Sequence, residues 1–124
     1  MREEINDWIV QAEADFRKAK ILFDAKEFDG VAFNTHQAVE KILKALYMKR
    51  NEKGKAGHSV IYVAGELNVP KELLSGIKKI APEYLISRYP DIVGVAPVDY
   101  YTEDMVVGYI KIAEDVIRWA KGQI

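Results

Sequence analysis

Asn34, Thr35, His36 and Gln37 stand in a row where an amphipathic helix would be expected to carry its apolar stripe, and Lys41 and Lys44 follow them. At helical spacing Gln37, Glu40, Lys41 and Lys44 fall at i, i+3, i+4 and i+7, so they share one face, and Asn34 and Thr35 extend it by a turn. Ammonium groups beside amides can meet an anionic ligand: lysines neutralise its charge, and amides supply directional donors and acceptors. Further along, Arg88 offers a planar fork for a phosphate or a stacking surface for a base. Tyr84, Tyr89, Tyr100 and Tyr101 crowd the same segment with rings that can stack on a base or line its pocket. A structural reading competes at each position. The polar face is then solvated, with a Glu40–Lys44 pair contributing about 0.3 kcal/mol. His36, near Val39 and Leu43, is a half-buried imidazole bonded to a neighbouring helix, and Arg88 pairs with Asp91 or Glu83. His58, directly before Ser59, is then a helix-entry residue.

Other chemistries lack their residues. The chain has no cysteine, which removes thiol nucleophiles, disulfides and Cys-based metal sites and agrees with a reducing compartment. The two histidines are isolated in sequence, the Glu-x-x-His pattern of di-iron bundles is missing, and no phosphate-binding glycine loop or nucleophile elbow occurs. We therefore expect no metal and no cofactor. A formal net charge of -1 argues against wholesale electrostatic binding of nucleic acid. The charge is unevenly spread, however: Lys41 to Gly57 holds six bases against one Glu, and Glu83 to Asp104 holds five acids against Arg88. No apolar run approaches the roughly 18 residues of a membrane span, and the acidic start MREEINDW does not resemble a signal peptide, so a cytoplasmic protein is expected.

These residues need elements to hold them. Apolar positions spaced by three and four predict a first helix over Glu3 to Lys26. Asp29 is the expected N-cap of a second helix running from about Val31 to Lys49. The glycine-containing segment NEKGKAG ends it. Ser59 can cap a short helix through VIYVA; a strand is the alternative, but no partner strand is evident. Pro70 suits the first turn of a fourth helix, which Pro82 should kink or end. Arg88 to Tyr101 reads as an ordered loop, and Thr102 caps a last helix with Glu103 and Asp104 in its first turn. The 124 residues are expected to form one domain, all-α, an antiparallel up-and-down bundle of four to five helices.

The order of these features resembles the HEPN domain family. The resemblance rests on WIVQAEADFRKAKILFDAKEF, then HQAVEKILKALY, then GHSV at Gly57 to Val60, then SRYPDI at Ser87 to Ile92, and it covers nearly the whole chain. It implies a compact helical bundle, commonly a homodimer, often paired with a minimal nucleotidyltransferase as a two-component or toxin–antitoxin couple. Many members are metal-independent ribonucleases carrying Arg, about four to six residues, then His, with both side chains converging across a dimer cleft. Here eighteen residues separate Arg17 from His36, and seven separate Arg50 from His58. The chain thus looks more like the small nucleotidyltransferase-associated branch. That likeness implies a non-catalytic partner that binds a nucleotide through Asn34, Gln37, Lys41, Lys44, Arg88 and Tyr89. Two alternatives remain. One is a ribonuclease toxin using His36 or His58 with Arg88; the other is a structural dimerisation module whose interface is the helix-two stripe.

Overall fold

The structure is a computed structural model, and it describes residues 3–51 and 59–124. Its described residues are helical throughout their regular structure, with helices α1 (Glu3–Asp24), α2 (Phe28–Arg50), α3 (Val60–Glu66), α4 (Lys71–Ile80), α5 (Glu83–Ile86), α6 (Pro97–Tyr100) and α7 (Glu103–Gln123). Five of these have seven residues or more, and α5 and α6 are four-residue turns. This is the all-α bundle that the periodicity predicts.

Helix α2 is its axis. It packs on every other helix, most extensively on α1 and α7. Accordingly it buries residues around most of its circumference, from Val31 and Ala32 through Val39, Ile42, Leu43 and Leu46 to Met48. A helix so enclosed can carry polar side chains only where its own backbone or a neighbour satisfies them. Thr35 is fully buried, and its Oγ1 donates back to Val31 O at 2.9 Å and Ala32 O at 3.1 Å. Asn34 Nδ2 likewise donates to Gly30 O at 2.9 Å. Part of the polar row is therefore hydrogen-bonded to the preceding turn of its own helix.

The start of α2 departs from expectation. Its N-cap position is Glu27, with no side-chain cap, and Asp29 lies inside the first turn, where its carboxylate meets the positive end of the helix. Gly30 continues the helix; a Cβ there would stand 2.8 Å from Leu22 Cδ1, so the glycine lets α1 and α2 approach. Helix α1 stops without a glycine. Lys26 takes φ 61°, and Lys26 N and Glu27 N bond to Phe23 O and Leu22 O at 3.0 and 2.9 Å, a Schellman closure.

The remaining boundaries follow local chemistry. Ser59 accepts from Tyr62 N at 3.2 Å, and VIYVA is helical. Thr102 accepts from Met105 N at 3.3 Å at the start of α7. Pro82 ends the fourth helix early, and Glu83 to Ile86 form a separate turn. The expected loop from Arg88 to Tyr101 contains the helical turn α6, which begins at Pro97 in the position that proline favours. Among the described residues no helix is long and apolar enough to cross a membrane.

Candidate functional site

Where α2 passes the start of α3 and the α4–α5 corner, the helices leave a solvent-open cavity of about 360 Å³. Helix α2 supplies His36, Gln37, Glu40 and Lys44; Ser59, Val60 and Ile61 come from the α3 entry, and Ala81 and Tyr84 close the far side. The volume lies in the range of roughly 300–1,000 Å³ usual for small-molecule sites.

His36 is the residue most shaped by this place. It is only 4% exposed, and its ring lies 5.6 Å from the Tyr84 ring at 33°. Nδ1 is 3.0 Å from Gln37 Oε1; an amide oxygen only accepts, so Nδ1 carries the proton and Nε2 is left as an acceptor. No buried side-chain nitrogen or oxygen among the described residues lacks a partner. Nε2 has no hydrogen-bond partner among those residues, and the ring lines the cavity. Burial lowers the His36 pKa below 6.5, and the Lys44 and Arg88 charges add to this against the Gln37 bond and Glu40. The folded state then binds fewer protons than the unfolded chain below pH 6.5, so the contribution of His36 to stability is present above that pH and lost as pH falls through the folded value. An NMR titration should place the His36 midpoint below 6.5, and Tyr84→Ala, by wetting the ring, should move it back up; a midpoint unchanged by that substitution would count against burial as the cause.

Beside His36, Lys44 Nζ pairs with Glu40 Oε2 at 3.0 Å, and both side chains are partly covered. Tyr84, 43% exposed, offers an open ring. Lys41 is elsewhere. Its ammonium turns to α1 and pairs with the buried Asp15 Oδ2 at 2.5 Å, beside Gln11 and Trp8 and away from this cavity. At helical spacing Lys41 and Glu40 are about 100° apart, so flanking helices on either side of α2 divide a face that looked continuous in sequence.

Arg88 makes no ion pair with Asp91 or Glu83. Its Nε donates to Tyr84 O at 2.5 Å, and its guanidinium sits over Tyr89, Phe33 and Tyr84 at 5.0, 5.3 and 5.8 Å from the ring centres. Arg88 and His36 thus touch the same tyrosine, but Arg88 does not line the cavity. Tyr89 is exposed beside it. His58 and the Gly57 before it lie outside the described residues. Of the basic run, Lys49 and Arg50 are tied to the chain's C-terminal end, through Ile124 O and Gln123 Oε1, and Arg50 also to Leu67 O. The described bases of that run are therefore all partnered.

Sequence reasoning missed Glu83 as a buried group. It is 2% exposed and accepts from Tyr101 Oη at 2.6 Å, with the Tyr109 phenol as a second donor. Burial raises its pKa above 4.5. Its only sequence signal was an acid set among apolar residues after Pro82. A larger hollow of about 540 Å³ lies between α1 and α7, but its Lys121–Glu13 and Arg118–Glu114 pairs are exposed and mutually compensating. It presents no buried polar group to a ligand.

Residues 5–123 match the family model described as HEPN domain. The crystal structure of TT1696 from Thermus thermophilus superposes with a TM-score of 0.90 at 23% identity, covering 99% of this chain and 100% of that one. That of ST0689, described as an archaeal HEPN homologue, gives 0.83 at 32% identity over 99% of this chain and 98% of the other. No curated protein matches the chain.

Proposed function

The chain belongs to the HEPN domain family, and from that premise we propose that it binds a mononucleotide in the cavity beside His36 and acts, as a homodimer, as the non-catalytic partner of a minimal nucleotidyltransferase. The supporting observation is the cavity itself, in which a bare acceptor on a buried ring, an ion pair with spare hydrogen-bonding capacity and an open aromatic face meet. A base enters against Tyr84, where stacking tolerates any ring. Its polar edge meets His36, Glu40 and Lys44. The phosphate points out past Tyr84 toward Arg88, whose terminal guanidinium nitrogens have no hydrogen-bond partner among the described residues. The partner half rests on the family's habits and on the missing short Arg-to-His spacing.

Isothermal titration of the purified protein with ribonucleoside monophosphates tests the binding half. Saturable binding is expected, and Tyr84→Ala should weaken it by at least about tenfold, 1.4 kcal/mol. Absence of heat with every nucleotide, from protein shown to be folded, would reject the pocket. Co-expression with a minimal nucleotidyltransferase from the same genome tests the other half, with a complex that survives gel filtration as the expected result.

A further inference from the structure

We infer that the cavity is shaped to read the edge of a 6-oxopurine, so that its ligand is a guanine nucleotide; this rests on the nucleotide reading above. The argument is a count of donors and acceptors. Glu40 meets Lys44 through Oε2 at 3.0 Å, which leaves Oε1 with no partner among the described residues. His36 Nε2 is a second acceptor without a partner among the described residues, in the neutral tautomer that donates from Nδ1 to Gln37 Oε1. Lys44 keeps two further N–H groups, since an ammonium has three donors and Glu40 uses one. The polar wall of the cavity thus sets a carboxylate, an imidazole acceptor and an ammonium side by side, with the Gln37 amide and the Ser59 hydroxyl at its edges.

Guanine complements that wall. Its N1–H and its exocyclic amine stand side by side as donors, and the C6 carbonyl next to them is an acceptor. The donors meet Glu40 and His36 while the carbonyl meets Lys44, and a carboxylate receiving N–H groups makes charge-assisted bonds. Adenine presents one exocyclic amine beside an unprotonated N1, which would set a lone pair against the open carboxylate oxygen. Cytosine has the same shortfall. Uracil offers one N–H between two carbonyls and so leaves an acceptor of the wall unmet. A site that hydrogen-bonds a donor discriminates strongly against an analogue without it, because its own buried groups are then left unpaired.

Titration with GMP, IMP, AMP, CMP and UMP separates the possibilities. GMP is expected to bind at least about tenfold tighter than AMP, with IMP, which has N1–H and the carbonyl but no exocyclic amine, between them. Glu40→Gln keeps the shape of the side chain and replaces one acceptor oxygen by a donor. It should cost GMP about tenfold or more and, by offering a donor to the unprotonated adenine N1, leave AMP no weaker or tighten it. Equal affinity for GMP and AMP, or an equal loss of both in Glu40→Gln, overturns the guanine assignment while the nucleotide pocket stands. Binding of none of the five by the folded protein overturns both.

Discussion

Lys41→Met is expected to lower the free energy of unfolding by about 3 kcal/mol and to leave mononucleotide affinity within about twofold. The substitution removes the ammonium that neutralises Asp15, a carboxylate whose side chain is 6% exposed at the α1–α2 interface. What remains near Asp15 is Gln11 Nε2 at 2.9 Å and Lys18, an exposed lysine at 4.0 Å. Removing one member of a buried pair typically costs about 3–5 kcal/mol because the other charge stays behind without compensation. The surviving amide bond places this case at the lower end. Replacing both members together, as Asp15→Asn with Lys41→Met, removes the stranded charge and should recover most of the loss. Urea denaturation of the two single variants and the double variant measures this. A single-variant loss below about 1 kcal/mol, or a double variant no better than Lys41→Met alone, would show that the pair is not a buried electrostatic unit. A folded Lys41→Met protein that no longer binds nucleotide would move the ligand to the α1 side of α2.

Lys41 also shows where sequence was legible and where it was not. Period-3.6 patterning located the long helices, and the hydroxyl caps Ser59 and Thr102 marked two helix starts to the residue, because both signals act within a few residues of chain. The end of α1 carried no such signal, since Lys26 adopts the left-handed conformation that a glycine would have announced. Asp29 and Gly30 looked like a helix start; their roles depend on charge at a helix terminus and on the approach of Leu22, and the second is a tertiary fact. The site was half legible. His36, Gln37 and Lys44 do meet, and they share one flank of α2. That Lys41 turns to Asp15 of α1, and that Asn34 and Thr35 turn back on their own helix, depends on which neighbours α2 acquires. Glu83 was the least visible: in sequence it is one acid of an acidic stretch, and only packing against Tyr101 and Tyr109 makes it a buried carboxylate.

That carboxylate adds a pH dependence of the opposite sign to that of His36. Tyr101→Phe is expected to cost about 1.5–3 kcal/mol above the folded Glu83 pKa, where the lost bond is to an ionised acceptor, and about 1 kcal/mol at pH 4, where it is to a neutral one. The sign follows from burial. Glu83 has a folded pKa raised above 4.5, so the native state holds its proton more tightly than the unfolded chain. Its contribution is therefore fully present below about pH 4.5 and is lost as pH rises through the folded value. The phenols of Tyr101 and Tyr109 favour the ionised form and limit that loss, so deleting one should steepen the fall. Glu83→Gln keeps an acceptor for Tyr101 and cannot ionise, and its stability should not fall over the same interval. At the alkaline end the phenols act in the same direction. Burial pushes Tyr109 up to about 12 and Tyr101 further, so the unfolded chain releases these protons first and stability falls again above pH 10. Chemical denaturation of the wild type, Glu83→Gln and Tyr101→Phe from pH 4 to pH 9 distinguishes the cases, and parallel curves would show that Glu83 does not titrate with folding. Because Glu83 directly precedes Tyr84 and its backbone carbonyl accepts from Ser87 Oγ, the same buried cluster holds the α5 turn that carries the open ring of the cavity.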